Sequence, residues 1–256
     1  MGWPLAAAQE TRMAELHQEQ SESSRDDKAL EIFQQQWELY RKFLEHDYLS
    51  NAGAYARLRA FLQSNIARPF GLLDLACGDA SGIVEVLKGM PIAGYRGIDL
   101  SGPALDLARE NLAQLPCQPE LVQADFVTAM RDLRKPADIV WISLSLHHLD
   151  TDDKRALMRE VRQGLGDGGA FLIYEPTRRD AESRAAYLDR FEETGRRNWT
   201  ALGAQEFAEA LNHVRTCDLP ETVSNWIDLG RDVGFSAVSQ LYTSSDDLFR
   251  LFSYRA

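Results

Sequence analysis

The stretch GLLDLACGDASG at residues 71–82 constrains the fold of this chain more than any other feature. It places a short apolar run and an acid ahead of small residues, which allow positive φ angles and a close approach of the backbone to a ligand. The pattern predicts the first strand of a parallel sheet, its tight turn and the start of a helix. Because the G-x-G-x-x-G spacing of dinucleotide folds is missing, it favours a ligand without phosphate. A plain strand-to-helix turn is the alternative.

Composition argues against several classes of protein. The 256 residues carry a net charge of −11, which disfavours the long basic surface of a nucleic-acid binder. No apolar run approaches the roughly 20 residues of a membrane span, and no secretory leader is recognisable, so we expect a cytoplasmic protein without a membrane partner. The three cysteines lack C-x-x-C spacing, so neither a disulfide framework nor a metal site is predicted.

Strand and helix patterns alternate through the middle of the chain, which is typical of a doubly wound sheet. We therefore predict an α/β, Rossmann-like fold, mostly parallel, with an antiparallel C-terminal hairpin strand and a helical cap. The predicted segments are a mobile polar tail at 1–27, N-terminal lid helices at 28–68, a cofactor-binding core at 69–175, a helical insertion forming a substrate cap at 176–221, and a closing helix with the terminal hairpin at 222–256. The fifth strand is predicted at 170–174, after a helix stop at 166–169.

The motif LDLACG at 73–78 resembles the first motif of the class I S-adenosylmethionine-dependent methyltransferases, D-x-G-x-G-x-G. Ala76 and Ala80 stand where that family more often has glycine, and alanine is tolerable there if φ is negative. The resemblance covers about residues 70–175 by motifs and 222–256 by pattern. It implies S-adenosyl-L-methionine as the cofactor and a small molecule as the methyl acceptor.

Acids that end neighbouring strands are the candidate cofactor ligands, because ligands of such sheets bind beyond the carboxyl ends of the strands. Asp99 is placed to accept both hydrogen bonds of a ribose diol, and the resemblance gives it that role. Asp125 would accept the adenine amino hydrogen, with Phe126 packing on the ring. The alternatives are a helix N-terminal acid for Asp99 and an exposed turn acid for Asp125. The other predicted cofactor contacts are Asp74, Ala76, Cys77, Gly78, Leu100 and Ser143.

Three residues are candidate catalytic groups. His147 and His148 follow the fourth strand, and imidazole titrates near neutrality, so one of them could take a proton from the acceptor. Adjacent side chains face different directions, and we prefer His147 slightly. Glu175 ends the fifth strand and is a second candidate for base or for cation anchor. The alternatives are that the histidines shape the pocket floor and that Glu175 makes a structural pair.

Aromatic rings and an arginine outside the core are the candidate acceptor contacts. Trp37, Tyr40 and Tyr48 belong to the predicted lid, whereas Arg179 and Trp199 belong to the predicted cap. Large rings dominate cores as well as sites, and arginines usually form a solvated face, so packing is the alternative for all five.

The sequence thus predicts an enzyme that transfers a methyl group from S-adenosyl-L-methionine to a small molecule by in-line displacement, in which orientation supplies much of the catalysis. One alternative is a non-catalytic cofactor-binding or scaffold protein of the same fold. A nicotinamide-dependent oxidoreductase is disfavoured by the missing G-x-G-x-x-G and by the terminal hairpin. No motif specifies whether O, N, S or C is methylated.

Overall fold

The computed structural model of the chain describes residues 39, 41–131 and 136–256. Trp37 and Tyr40, like the predicted polar tail, lie outside the described residues. The chain divides into two units, Met1–His46 and Asp47–Ala256. In the first unit, residues 41–45 are helical and Arg41 forms an ion pair with Glu45. The second unit contains the sheet. Within the described residues, no helix combines the length and the hydropathy needed to cross a bilayer.

The second unit alternates strands and helices as its sequence pattern predicts. Its strands are β1 (Phe70–Leu75), β2 (Ile92–Asp99), β3 (Pro119–Gln123), β4 (Ala137–Ser143), β5 (Leu165–Arg178), β6 (Glu221–Thr222), β7 (Ala237–Thr243) and β8 (Phe249–Arg255). Its helices are α1 (Asn51–Asn65), α2 (Ser81–Leu87), α3 (Gly102–Leu112), α4 (Phe126–Arg131), α5 (Thr151–Gly164), α6 (Arg184–Asn198), α7 (Ala204–Cys217) and α8 (Val223–Asp232), with a 3-10 turn at Leu146–His148.

The sheet has the order β3-β2-β1-β4-β5-β8-β7, with β6 paired to β5. Strands β1 to β5 are parallel where they pair, and β8 is antiparallel to both β5 and β7. The predicted fold class, including the C-terminal hairpin strand, is confirmed. The strand order reverses between β1 and β4, so the ligand crevice of such a sheet lies at their carboxyl ends.

Two boundaries differ from the sequence prediction. β5 runs from Leu165 to Arg178, so the glycines at 166–169 lie inside the strand instead of before it. The pairing of β4 with β5 shifts register there, and β8 stays paired with β5 as far as Pro176, which extends the strand in both directions. Helix α4 was not predicted, because a six-residue helix is too short to show a helical period.

A buried ion pair joins α5 to the start of β6. Lys154 is completely buried, and its Nζ donates hydrogen bonds to the backbone oxygen of Leu219 at 2.5 Å and to Oε1 of Glu221 at 3.0 Å. The same ammonium group lies 5.6 Å from the ring centroid of Trp226. Glu221 also accepts from Thr151 Oγ1 at 2.7 Å. A charge buried in this way needs its partners, because desolvation of an unpaired ion is costly.

Candidate functional site

The turn after β1 has the left-handed backbone that its small residues allow. Ala76, Gly78 and Ala80 have φ angles of 54°, 54° and 56°. The condition under which alanine is easily tolerated at positions 76 and 80, a negative φ, is therefore not met. This conformation costs an alanine roughly 1 to 2 kcal/mol, and hydrogen bonds hold it in place, from Cys77 N to Ile98 O at 3.0 Å and from Ala80 N to Cys77 O at 2.9 Å.

Gly78 faces open space, in contrast to the packed glycine on the neighbouring strand. A Cβ atom added at Gly78 would meet no protein atom within 4 Å. A Cβ atom added at Gly97 of β2 would lie 2.8 Å from Cys77 Sγ and 2.9 Å from Leu121 Cδ2. Gly97 is therefore required by packing, whereas the space beside Gly78 is available to a ligand.

Asp99 connects the turn to the end of β2. Its Oδ2 accepts a hydrogen bond from Gly78 N at 2.8 Å, and its Oδ1 accepts one from Ser101 N at 2.8 Å. Each carboxylate oxygen has a second lone pair, so both can still accept from a ligand diol. The N-cap of α3 is Ser101, whose Oγ accepts from Ala104 N at 3.2 Å. The cap role considered for Asp99 therefore belongs to Ser101.

Apolar and acidic groups follow β2 and β3 at the same edge of the sheet. Leu100 is 66% exposed, which leaves its apolar surface available to a ligand. Phe126 is half-buried at the start of α4. Asp125 Oδ1 accepts from Thr128 N at 2.9 Å, so this acid caps α4. A contact with an adenine amino group through Oδ2 is compatible with that cap.

Asp74 lies near the end of β1, and Cys77 lies within the turn that follows it. Asp74 is buried, and Tyr95 donates a hydrogen bond to its Oδ2 at 2.6 Å. Burial raises the pKa of the Asp74 carboxyl to about 7, against the smaller effect of the Tyr95 hydrogen bond. Burial and the nearby carboxylates also raise the pKa of the Cys77 thiol far above its usual range, so Cys77 is a packing group. Ser143 is half-buried at the end of β4.

Because burial raises the pKa of Asp74, we expect the free energy of unfolding to fall as the pH rises. A carboxyl whose pKa is near 7 when folded and 3.8 when unfolded binds its proton more tightly in the folded state. The free energy of unfolding should therefore fall by about 2 to 3 kcal/mol between pH 5 and pH 8 from this group. Urea unfolding at both pH values checks this, with Asp74→Asn as the comparison. A variant with the same pH dependence as the unsubstituted chain would contradict the prediction.

Glu175 organises the segment that follows β4. It is fully buried, and its Oε1 accepts from the backbone nitrogens of Ser145 at 3.2 Å and Leu146 at 3.0 Å. Its Oε2 lies 2.6 Å from His147 Nδ1. The structural pairing considered for Glu175 is therefore present. Leu144 adopts a φ of 52°, which turns the chain sharply towards this carboxylate.

The two histidines have different environments. His147 is 6% exposed; burial lowers its pKa, but the Glu175 and Asp218 carboxylates outweigh burial and raise it above its ordinary value. The His148 side chain is 39% exposed, and burial together with the neighbouring histidines His147 and His213 lowers its pKa to about 4. Their roles as bases stay predictions, as does that of Glu175.

The candidate acceptor contacts that the structure describes, Tyr48 of the predicted lid and Trp199 and Arg179 of the insertion, all interact with protein groups. Trp199 is 5% exposed and packs edge-on against Phe191, with ring centroids 5.1 Å apart. Tyr48 lies 5.9 Å from Trp199 by ring centroids, and its hydroxyl oxygen accepts from Ala201 N at 2.9 Å. Arg179 Nε donates to Asp247 Oδ2 at 2.5 Å. Contact of Tyr48, Trp199 and Arg179 with an acceptor stays a prediction.

The structure thus brings the predicted cofactor residues together and adds two residues that sequence reasoning missed. Asp74, Gly78 and Asp99 lie at the carboxyl ends of adjacent strands, as their positions predict. Tyr95 and Asp218 were not predicted, because each meets its partner only through the fold. Tyr95 lies on β2, the strand that ends at Asp99, and only the pairing of β2 with β1 places its hydroxyl on Asp74.

The middle of the chain is similar to known methyltransferases. The family model for a methyltransferase domain matches residues 72–169. Carboxy-S-adenosyl-L-methionine synthase from Pseudomonas aeruginosa (strain UCBPP-PA14) is 28% identical, over 71% of this chain and 76% of that protein. The chain spans only 28% and 43% of the length of the first two curated relatives that it matches.

Two solved structures share the fold. The plantazolicin methyltransferase BamL, in complex with a triazolic desmethylPZN analog and SAH, matches with a TM-score of 0.60 at 16% identity, over 84% of this chain and 88% of that chain. The S-adenosylmethionine-dependent methyltransferase SibL, in its apo form, matches with a TM-score of 0.57 at 19% identity, over 83% of this chain and 57% of that chain.

Proposed function

Because residues 72–169 match the family model for a methyltransferase domain, we propose that this chain is a class I S-adenosylmethionine-dependent methyltransferase that transfers a methyl group to a small-molecule acceptor by in-line displacement. The domain implies S-adenosyl-L-methionine as the cofactor, which supplies a methyl group already activated by its positive sulfur. The chain must then bind the two reactants in line and exclude water, and orientation alone can contribute several kcal/mol to the rate.

The bond between Asp99 and the Gly78 amide is the observation that carries the proposal. It fixes the Asp99 carboxylate oxygens, which can accept hydrogen bonds from a ribose diol, against a turn where Gly78 leaves space for a ligand. We assign Asp99 to the ribose diol, Leu100 and Phe126 to the adenine faces, and Asp125 to the adenine amino group. The segment Asp74–Gly78 would hold the methionine end, with Ser143 closing the site from β4.

Gly78 offers a test with a matched control. Gly78→Ala should weaken S-adenosylmethionine binding by about tenfold to a hundredfold, because the added methyl group would occupy the ligand's space. Gly89→Ala introduces the same left-handed strain, with φ of 71° and no protein atom within 4 Å of the added Cβ, at a position before β2. Calorimetric titration should show near-normal affinity for Gly89→Ala. Equal losses in the two variants would assign the effect to strain.

Formation of a carboxylated cofactor is a second candidate function, favoured by the relatives named carboxy-S-adenosyl-L-methionine synthase. Such a product carries an extra carboxylate, and arginine is the usual partner for that group. Arginines near the insertion are instead engaged with protein oxygens. Arg178 and Arg184 donate to the backbone oxygens of Pro220 and Asp218, and Arg179 and Arg196 donate to the carboxylates of Asp247 and Glu192. This favours methyl transfer.

Parallel titrations with S-adenosylmethionine, S-adenosylhomocysteine and NADH test the cofactor assignment first. Binding of the two adenosyl compounds alone is the expected result, and preference for NADH would overturn it. Mass spectrometry of a subsequent acceptor panel then separates the functions. An acceptor heavier by one methylene unit supports methyl transfer, and a carboxylated cofactor supports the second candidate. Binding without consumption of the cofactor would favour the non-catalytic alternative.

A further inference from the structure

Three metal-type ligands converge between the turn after β4 and the end of α7. His147 Nε2 lies 3.5 Å from Asp218 Oδ1, and His148 Nδ1 lies 3.6 Å from the same oxygen. The three atoms lie within 4.8 Å of one another. We propose that His147, His148 and Asp218 bind one divalent transition-metal ion of the zinc type. This cluster includes the two candidate catalytic histidines and none of the assigned cofactor contacts.

The distances in this cluster fit a shared ion better than hydrogen bonds. Asp218 Oδ1 is buried and has no hydrogen-bond partner among the groups that the structure describes. Separations of 3.5 and 3.6 Å exceed those of good nitrogen–oxygen hydrogen bonds. Ligand atoms around tetrahedral zinc lie about 3.3 Å apart, as follows from metal–ligand bonds of about 2.0 to 2.2 Å. A bound ion would also give Asp218 Oδ1 a partner, since burying a carboxylate oxygen without one costs free energy.

Glu175 orients His147 for this role. Its Oε2 lies 2.6 Å from His147 Nδ1, and the backbone nitrogen of Leu146 donates to its Oε1 at 3.0 Å. With the proton of the neutral ring on Nδ1, the lone pair of Nε2 faces Asp218. Carboxylates commonly stand behind metal-binding histidines in this way and fix both the tautomer and the ring orientation.

The ligand set also selects the class of ion and leaves room for another ligand. Two imidazoles and one carboxylate suit zinc, iron, nickel or copper, whereas magnesium prefers oxygen ligands and water. Three protein ligands leave a coordination position, and the partly exposed His148 places it on the accessible side of the cluster. Water or an oxygen, nitrogen or sulfur atom of a small molecule could bind there. Metal binding itself does not depend on methyl transfer.

Zinc titration of the full chain, after treatment with a chelator, tests the proposal. We expect one Zn²⁺ per chain and no binding of Mg²⁺ under the same conditions. Asp218→Asn and His148→Ala should each weaken zinc binding by at least about a hundredfold. His213→Ala is the matched control, because its ring contacts His148 edge-on at 5.4 Å between centroids but contributes no atom to the cluster. Its affinity should stay within about threefold of the unsubstituted chain.

The visible absorption spectrum of Co²⁺ is a second measurement, because a cluster that only stabilises the fold would not produce the bands of a bound ion. Co²⁺ bound by these residues should show intense visible absorption bands of low coordination number, and the bands should be lost in Asp218→Asn. Circular dichroism checks that each variant is folded; if Asp218→Asn is not, His148→Ala carries the test, because that side chain is partly exposed. Absence of zinc binding, or equal zinc affinity in all the folded variants, would overturn the proposal.

Discussion

Asp99→Ala is expected to weaken S-adenosylmethionine binding by at least about a hundredfold. The carboxylate would lose two charge-assisted hydrogen bonds to the cofactor, each worth about 1.5 to 3 kcal/mol. The substitution also removes the acceptors of the Gly78 and Ser101 amides, so the turn itself loses its tie to β2. Calorimetric titration of the purified variant measures the loss directly.

Asp106→Ala is the control for Asp99→Ala. Asp106 is an exposed acid on α3 that pairs with Arg109 at 2.7 Å, so its removal changes the net charge equally without touching the turn. Its cofactor affinity should match that of the unsubstituted chain. Affinity in Asp99→Ala within about threefold of the control would remove the ribose assignment.

Lys154→Met is expected to lower the free energy of unfolding by about 3 to 5 kcal/mol, the cost of leaving a buried ion without its partner. Methionine fills most of the lysine volume, so little of the lost stability comes from a cavity. The loss comes from the Glu221 carboxylate and the Leu219 backbone oxygen, which no longer have the lysine as a partner. Urea denaturation followed by circular dichroism measures the change.

Two companion variants define the Lys154 effect. Lys88→Met removes an exposed lysine that pairs with Glu85, and such surface pairs contribute about 0 to 1 kcal/mol. Lys154→Met combined with Glu221→Gln should recover part of the lost stability, because the unpaired charge is then absent. The expectation fails if the Lys154 and Lys88 variants lose equal stability.

Local sequence patterns predicted the order of strands and helices and the fold class. The apolar runs of β1 and β4 and the spacing of Asp99 from Gly78 are set by short segments, and the parallel sheet brings their ends together. The confirmed fold class follows from that alternation and from the terminal hairpin. The assignment of Asp99 to a ribose diol stays a prediction that the present geometry favours.

Contacts between distant segments could not be predicted in the same way. The positive φ at Ala76 is imposed by the turn's hydrogen bonds to β2, against the preference of the residue. The length of β5 depends on its pairing with β8, which no local pattern reveals. Asp218 shows no motif with His147 and His148, so the sequence predicted no metal site, and only the packing of the segment after α7 brings these groups together.

The position of β8 has a consequence for how the chain is made. This strand lies between β5 and β7 in the sheet, although it is the last of the strands in sequence. Translation therefore produces β5, with the buried side chains of Phe171 and Ile173, long before its antiparallel neighbour exists. In the nascent chain that strand presents an unpaired apolar edge, which invites pairing with other chains. The sheet can close only after residue 255 has left the ribosome, so β5 must stay protected from such pairing until the residues of β8 have emerged.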